Sequence, residues 1–383
     1  MSRLRIVKYR PEEYEQLPEA RLLLADTVAV ARRVYDEVDL VVVGPGDVLP
    51  SAAPGDVLVL GPSNVLLRVP SLLAMAAAAA GGDVMVYPAR LADFEVLRED
   101  PVYTLGGYER AERRILDQGL QPRTSVAFHL PVSLMPPDLY ARFLAGRPAD
   151  ELAVPPAEAA IAAGARRCVR RGIFHEFIEY YDQVRDDVLP FVPEGTRTVL
   201  EIGCGRGGTA EVLEGRLGCR VTGVELNPVA AAEAGRRIHR VVHGDVEALD
   251  LGGSFDLVLA LEVIEHLVEP DRFLLRMRSL TRPGGRILLS TPNVGHYSVV
   301  EDLLRGRWDY VPGGAMCYTH LRFFTRRTLE SLLLRAGFDR FLIEAQTTEL
   351  PEQWSAPREG RAGELATDSE SLRTLAFYVV IDL

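Results

Sequence analysis

The chain has 383 residues, enough for two domains with full cores, and its 25% charged and 48% apolar residues are those of an ordinary globular protein. A net charge of −11 argues against a broad phosphate-binding surface, so nucleic acid is not the expected partner, although Arg322, Arg326 and Arg327 leave room for a local basic cleft. Cys168, Cys204, Cys219 and Cys317 form no C-x-x-C pair, which argues against a structural zinc or disulfide framework.

Met1 to Arg10 lacks the continuous apolar core of a signal peptide, and the apolar run Ser71 to Ala80 is too short to span a bilayer. No membrane partner is expected, and a cytoplasmic location is the default. Along residues 1–150, strand signals at Asp39 to Val43, Asp56 to Leu60, Asp83 to Tyr87 and Thr124 to His129 alternate with helical stretches at Leu17 to Tyr35, Val65 to Ala80 and Tyr108 to Asp117. That alternation predicts a small α/β domain with a partly parallel sheet. It is loosely similar to part of a nucleotide-sugar glycosyltransferase domain, but no Asp-x-Asp motif or glycine fingerprint supports catalysis there. A covering, dimerising or degenerate role fits it better. Residues 151–171, rich in Pro and Ala, read as a linker to a second domain spanning 172–383.

The second domain opens with a predicted amphipathic helix, Ile173 to Leu189. A strand at Thr198 to Leu200 then leads through Glu201 into Gly203-Cys204-Gly205-Arg206-Gly207-Gly208 and a helix, Thr209 to Leu217. Glycines belong where a backbone must turn sharply or let a ligand come close. A second strand, Arg220 to Val224, ends in Glu225-Leu226-Asn227-Pro228, and a third, His239 to Val242, ends in Gly244-Asp245-Val246. The buried-strand pattern Phe255 to Ala260 runs into Glu262-Val263-Ile264-Glu265-His266-Leu267, and Arg282-Pro283-Gly284-Gly285 turns into a strand, Arg286 to Ser290. Arg340 to Thr347 and Leu375 to Ile381 complete the strands, with an acidic loop over 349–370 between them.

Gly203-x-Gly205-x-x-Gly208 with Glu225 downstream also satisfies a dinucleotide fingerprint, so an NAD-dependent oxidoreductase is a rival reading. The succession of motifs is more specific. Residues from about 172 to 383 resemble a class I S-adenosylmethionine-dependent methyltransferase, in a subgroup associated with sugar and natural-product methylation. The resemblance implies a Rossmann-like sheet with an antiparallel last strand, preceded here by the smaller α/β domain. It implies S-adenosylmethionine as methyl donor, S-adenosylhomocysteine as product and a small-molecule acceptor, most directly a hydroxyl of a sugar, glycan precursor or secondary metabolite.

The resemblance assigns the donor site to Glu201, Gly203, Cys204, Gly205, Glu225, Leu226, Asn227, Asp245, Val246, Leu261 and Glu262, with Tyr181 and Arg185 at its amino-acid end. Glycine-loop N–H groups suit the donor's carboxylate, Glu201 its ammonium and Glu225 its ribose hydroxyls. Leu226 and Val246 cover the adenine, and Asp245 accepts from its amine. Each acid is otherwise a solvated loop carboxylate, and Tyr181 a packing residue. Asn293, His296, Tyr297, Trp308 and Tyr310 are the expected acceptor pocket, with plain packing as the alternative for each aromatic.

Glu262, Glu265 and His266 fall at i, i+3 and i+4, one face of a helical turn, and His266 is the candidate base. Together with His320 they resemble the Glu-x-x-Glu-His…His site of small-RNA ribose methyltransferases and, more loosely, of ubiquinone-pathway O-methyltransferases. A divalent metal is not expected, although these four residues could hold one. Glu265, His266 and His320 are the catalytic candidates either way. A metal-assisted RNA ribose or quinone-type O-methyltransferase, and a donor-binding module without catalysis, remain as alternatives. Oligomeric state is not legible.

Overall fold

A computed structural model describes residues 2–10, 18–61, 64–80, 85–90, 104–118, 132–152, 166–177, 181, 183–311, 313–351, 354 and 369–383. The chain divides into two compact units, Met1–Ile178 and Glu179–Leu383.

The first unit contains β1 (Arg3–Tyr9), α1 (Pro18–Ala31), β2 (Glu37–Val43), β3 (Asp56–Leu60), β4 (Asn64–Leu67), α2 (Val69–Ala79), β5 (Met85–Arg90), α3 (Leu105–Gln118), β6 (Val132–Met135), α4 (Pro137–Phe143) and β7 (Arg166–Phe177). They build a sheet in the order β2-β1-β3-β6-β5-β7-β4. It is mixed: β1 runs parallel to β2 and β3, while β6 is antiparallel to β3 and β5. One face buries Leu4, Ile6 and Leu58 under α1 and α2, and the other buries Val7, Val57 and Tyr140.

Two expectations are corrected here. The stretch Val65 to Ala80 is a strand followed by a helix, because Arg68 stays extended and Pro70 fits only the first turn of the helix behind it. The helix expected over Ile173 to Leu189 is instead the end of β7, a turn at Tyr181 and a 3₁₀ segment, Asp186–Phe191, with Pro190 inside. Residues 166–171, expected at the end of the linker, also lie in β7. Its partners β4 and β5 come from far earlier in the sequence, which local periodicity cannot report. The strand expected at Thr124 to His129 and most of the loop 349–370 lie outside the described residues.

The second unit contains β8 (Thr198–Ile202), α5 (Gly208–Leu217), β9 (Arg220–Glu225), α6 (Pro228–Ala234), β10 (Arg240–His243), β11 (Phe255–Leu261), α7 (Pro270–Leu280), β12 (Thr281–Pro292), α8 (Tyr297–Leu304), α9 (Arg326–Arg335), β13 (Leu342–Thr347), α10 (Ser369–Arg373) and β14 (Thr374–Asp382). The sheet order is β10-β9-β8-β11-β12-β14-β13. Strands β10 to β12 are parallel, and β14 inserts antiparallel between β12 and β13. This is the Rossmann-like sheet with an antiparallel last strand.

The central strands are continuous apolar runs because helices cover both faces. Leu200, Val258, Ile287 and Val379 meet α7 and α9 on one side; Val199, Leu257, Leu288 and Leu213 form the other core. The chain reverses direction in the sheet beside β8, so the carboxyl ends of β8, β9 and β11 open a crevice there. Among the described residues no helix is long and apolar enough to cross a membrane.

Candidate active site

The glycine loop leaves β8 and is stapled to the tip of β9. Gly203 and Cys204 donate their N–H groups to the Val224 carbonyl at 2.8 and 3.2 Å, and Gly205 donates to Glu225 Oε2 at 2.9 Å. Arg206 N–H goes to the Tyr181 carbonyl and Gly207 N–H to Cys204. The expectation that these amides hold a carboxylate is therefore corrected: they are spent inside the protein. What the glycines supply is conformation and space. Gly205 sits at φ +54°, and a Cβ there would lie 2.4 Å from the Tyr181 oxygen; at Gly203, φ +72°, it would meet Val263 at 2.8 Å.

Two acids converge beneath the loop. Glu201 is buried, and one of its carboxylate oxygens has no hydrogen-bond partner. Burial, and then the charge of Glu225, push its carboxyl up to about 8. An orphaned oxygen in such a place fits a cationic group such as the donor's ammonium. Glu225 is also buried and accepts the Gly205 and Asn227 N–H groups, one on each oxygen. Each oxygen keeps a second lone pair for a ribose hydroxyl. Cys204 lies among these acids, and burial together with their charges raises its thiol, so it packs rather than reacts.

Around them, Leu226 is 67% exposed and forms an apolar platform, with Val246 buried just after β10. Asp245 is exposed and takes the Glu247 N–H. Asn227 is the N-cap of α6, its Oδ1 accepting from Val229 and Ala230, so its side chain is occupied by the fold. Arg185 is held by Asp187 and the Tyr378 hydroxyl, with Glu262 at 3.8 Å.

The second cluster follows β11, from Leu261 onward. The three residues Glu262, Glu265 and His266 do not share a helical face. Glu262 takes φ +54°, the one positive φ at a non-glycine among the described residues, and a three-residue 3₁₀ turn, Ile264–His266, follows it. Its carboxylate turns to Ser290, while Glu265 and His266 turn to His320. The ligand atoms of Glu265, His266 and His320 lie within 4.8 Å of one another. His266 Nδ1–H donates to the Thr319 carbonyl at 3.2 Å and His320 Nδ1–H to the Ala315 carbonyl at 3.0 Å, which leaves both Nε2 atoms as lone-pair donors.

Burial lowers both imidazoles, His320 to about 4 with His266 adding to the effect. Glu265 is fully buried; Thr291 Oγ1 donates to Oε2, whereas Oε1, 4.0 Å from His320 Nε2, has no hydrogen-bond partner. Burial raises its carboxyl, and the Glu262 charge raises it further. Backbone N–H groups of Leu321 and Arg322 on the Glu265 carbonyl tie the His320 loop to this turn.

The expected acceptor pocket separates into two groups. Asn293 and His296 are buried, with Asn293 bonded to the 371 and 374 carbonyls and His296 to Ser298 and Thr348. Tyr297 packs against His296 and Trp354. These three residues help to hold α8 in place. Trp308 and Tyr310, each 42% exposed, stand against Phe323 and Tyr318 beside the His320 loop. Sequence reading missed Ser290, Thr291 and Thr319, which position the acids and imidazoles but carry no motif of their own.

A family described as "Methyltransferase domain" matches residues 174–341. Most of the second unit therefore matches a methyltransferase domain. The dinucleotide reading of the glycine spacing gives way to it. The chain is 33% identical over 168 residues to a ubiquinone biosynthesis O-methyltransferase of Cereibacter sphaeroides, covering 42% of this chain and 66% of that protein. It is 36% identical over 160 residues to another so named from Azorhizobium caulinodans, covering 37% of this chain and 58% of that protein. A solved SAM-dependent methyltransferase from Archaeoglobus fulgidus aligns at 20% identity over 51% of this chain and 90% of that one, with a TM-score of 0.39.

Proposed function

We propose that the chain transfers the methyl group of S-adenosylmethionine to a hydroxyl oxygen of a small-molecule acceptor. The observation that carries this reading is the pairing of two sites at one sheet edge: the orphaned Glu201 carboxylate beside Glu225, and the Glu265–His266–His320 cluster after β11. In the first, Glu201 meets the donor's ammonium, Glu225 its ribose hydroxyls, and Leu226 and Val246 its adenine.

In the second, His266 Nε2 takes the acceptor's hydroxyl proton while the oxygen attacks the methyl carbon in line, and the sulfonium leaves as a neutral thioether. Alignment of oxygen, carbon and sulfur supplies much of the acceleration. The names of the relatives favour a quinol-type or phenolic hydroxyl over a sugar hydroxyl, and the exposed Trp308 and Tyr310 suit an aromatic ring. Calorimetry with S-adenosylhomocysteine tests the donor site, with tight binding expected and none refuting it. A methylation screen with catechols against sugars tests the acceptor. Donor binding without turnover on any acceptor would leave a binding module without catalysis.

A second reading is favoured by the cluster itself. Two neutral imidazoles presenting Nε2 and a buried carboxylate with an orphaned oxygen fit a divalent cation. Such an ion would lower the pKa of a bound hydroxyl. EDTA then abolishes turnover and a divalent salt restores it; turnover indifferent to both assigns the proton to His266 alone.

A further inference from the structure

Ser290 is fully buried at the end of β12, with no place in the motifs read from sequence. Its Oγ donates to Glu262 Oε1 at 2.7 Å and accepts the Glu262 N–H at 3.1 Å, and its carbonyl accepts that same N–H. Glu262 holds a left-handed backbone that an L-residue adopts only where its surroundings over-determine it. One Ser290 hydroxyl grips both the backbone and the side chain of this residue.

Glu262 in turn faces Arg185 Nη1 at 3.8 Å. Arg185 belongs to the stretch 183–191 that ends in the 3₁₀ turn at Phe191, and further contacts hold it and Tyr181 in place. Arg185 N–H donates to Thr209 Oγ1, the Tyr181 carbonyl accepts from Arg206, and the guanidinium bonds both Asp187 and the Tyr378 hydroxyl. Tyr181 and Arg185 thus lie against the glycine loop and the start of α5, the walls of the donor crevice. With its guanidinium shared among Asp187, Tyr378 and Glu262, Arg185 is placed as a latch more than as a donor ligand.

We propose that Ser290 is a positioning residue which, through Glu262, fixes Arg185 and thereby clamps the 183–191 segment against the glycine loop, setting how tightly the methyl donor is held. The proposal rests on the donor-site reading above. It assigns the strained turn after β11 a second task besides presenting Glu265 and His266: joining the 183–191 segment to the end of β12.

The test compares wild type, Ser290→Ala and Ser290→Thr in the full chain. Ser290→Ala is expected to weaken S-adenosylhomocysteine binding about tenfold, the loss of one charge-assisted hydrogen bond. It is expected to raise KM for the donor more than it lowers kcat, and to speed hydrogen exchange across 183–191. Ser290→Thr, which keeps the hydroxyl, restores all three. An unchanged dissociation constant and unchanged exchange in Ser290→Ala overturn the proposal, as does a loss that Thr fails to rescue. Failure of wild type to bind S-adenosylhomocysteine strikes the donor-site reading instead, and the two failures are told apart by that one measurement.

Discussion

At the scale of single residues, Glu201 carries the sharpest expectation. Its carboxyl is raised from 4.5 to about 8 by burial and by the Glu225 charge, which favours the protonated form. A cation beside it favours the carboxylate, and donor binding should therefore release a proton near pH 7. Calorimetry in buffers of different ionisation enthalpy measures that release, and Glu201→Gln should abolish it. The sign for stability follows from the same shift. With the folded value above the ordinary one, the stabilisation linked to Glu201 is complete below about pH 4.5 and is lost as pH rises through about 8. His266 gives a second expectation. Burial lowers its imidazole, so a base at this position keeps kcat up until pH drops below the ordinary histidine value of about 6.5. A limb at or above that value in the kcat profile places the base elsewhere.

At the scale of elements, the glycine loop works by shape. Its amides are consumed by β9 and by Tyr181, so the loop is a spacer whose geometry aims Glu201 and Glu225 at one crevice. Gly205→Ala combines a positive φ with a Cβ 2.4 Å from a backbone oxygen. A cost of about 2–4 kcal/mol is expected, from left-handed strain of about 1–2 kcal/mol plus the displacement of Tyr181. Chemical denaturation measures it, and a change below about 0.5 kcal/mol, the size of a neutral surface substitution, would contradict the packing described. Helix α6 follows the same economy: Asn227 caps it while its own N–H anchors Glu225, so one residue starts a helix and aims an acid.

At the scale of the whole molecule, the residues proposed to hold the donor all belong to the second unit. Saturation with S-adenosylhomocysteine at a hundred times its dissociation constant should stabilise that unit by about 2.7 kcal/mol. Hydrogen exchange should show the added protection in β8, the glycine loop and β9, with the sheet of the first unit unchanged. Protection appearing chiefly in the first unit would place the ligand elsewhere.

The order of strands β8 to β14, the glycine loop and both acids at the tips of β8 and β9 were legible in the amino-acid sequence, because each is encoded locally. Apolar runs make buried strands, and glycines sit where φ is positive. Three features were decided only by the tertiary structure. Residues 173–177 became strand because β4 and β5 lie beside them. Glu262 left the helical face expected of it: its backbone is left-handed and its N–H bonds to Ser290, 28 residues on. Asn293 and His296 became struts for α8 because their partners, at 371, 374 and 348, arrive from the far end of the chain. Local propensity and spacing govern contacts within a turn or two, whereas a hydrogen-bond partner brought in by the fold can reassign any polar side chain.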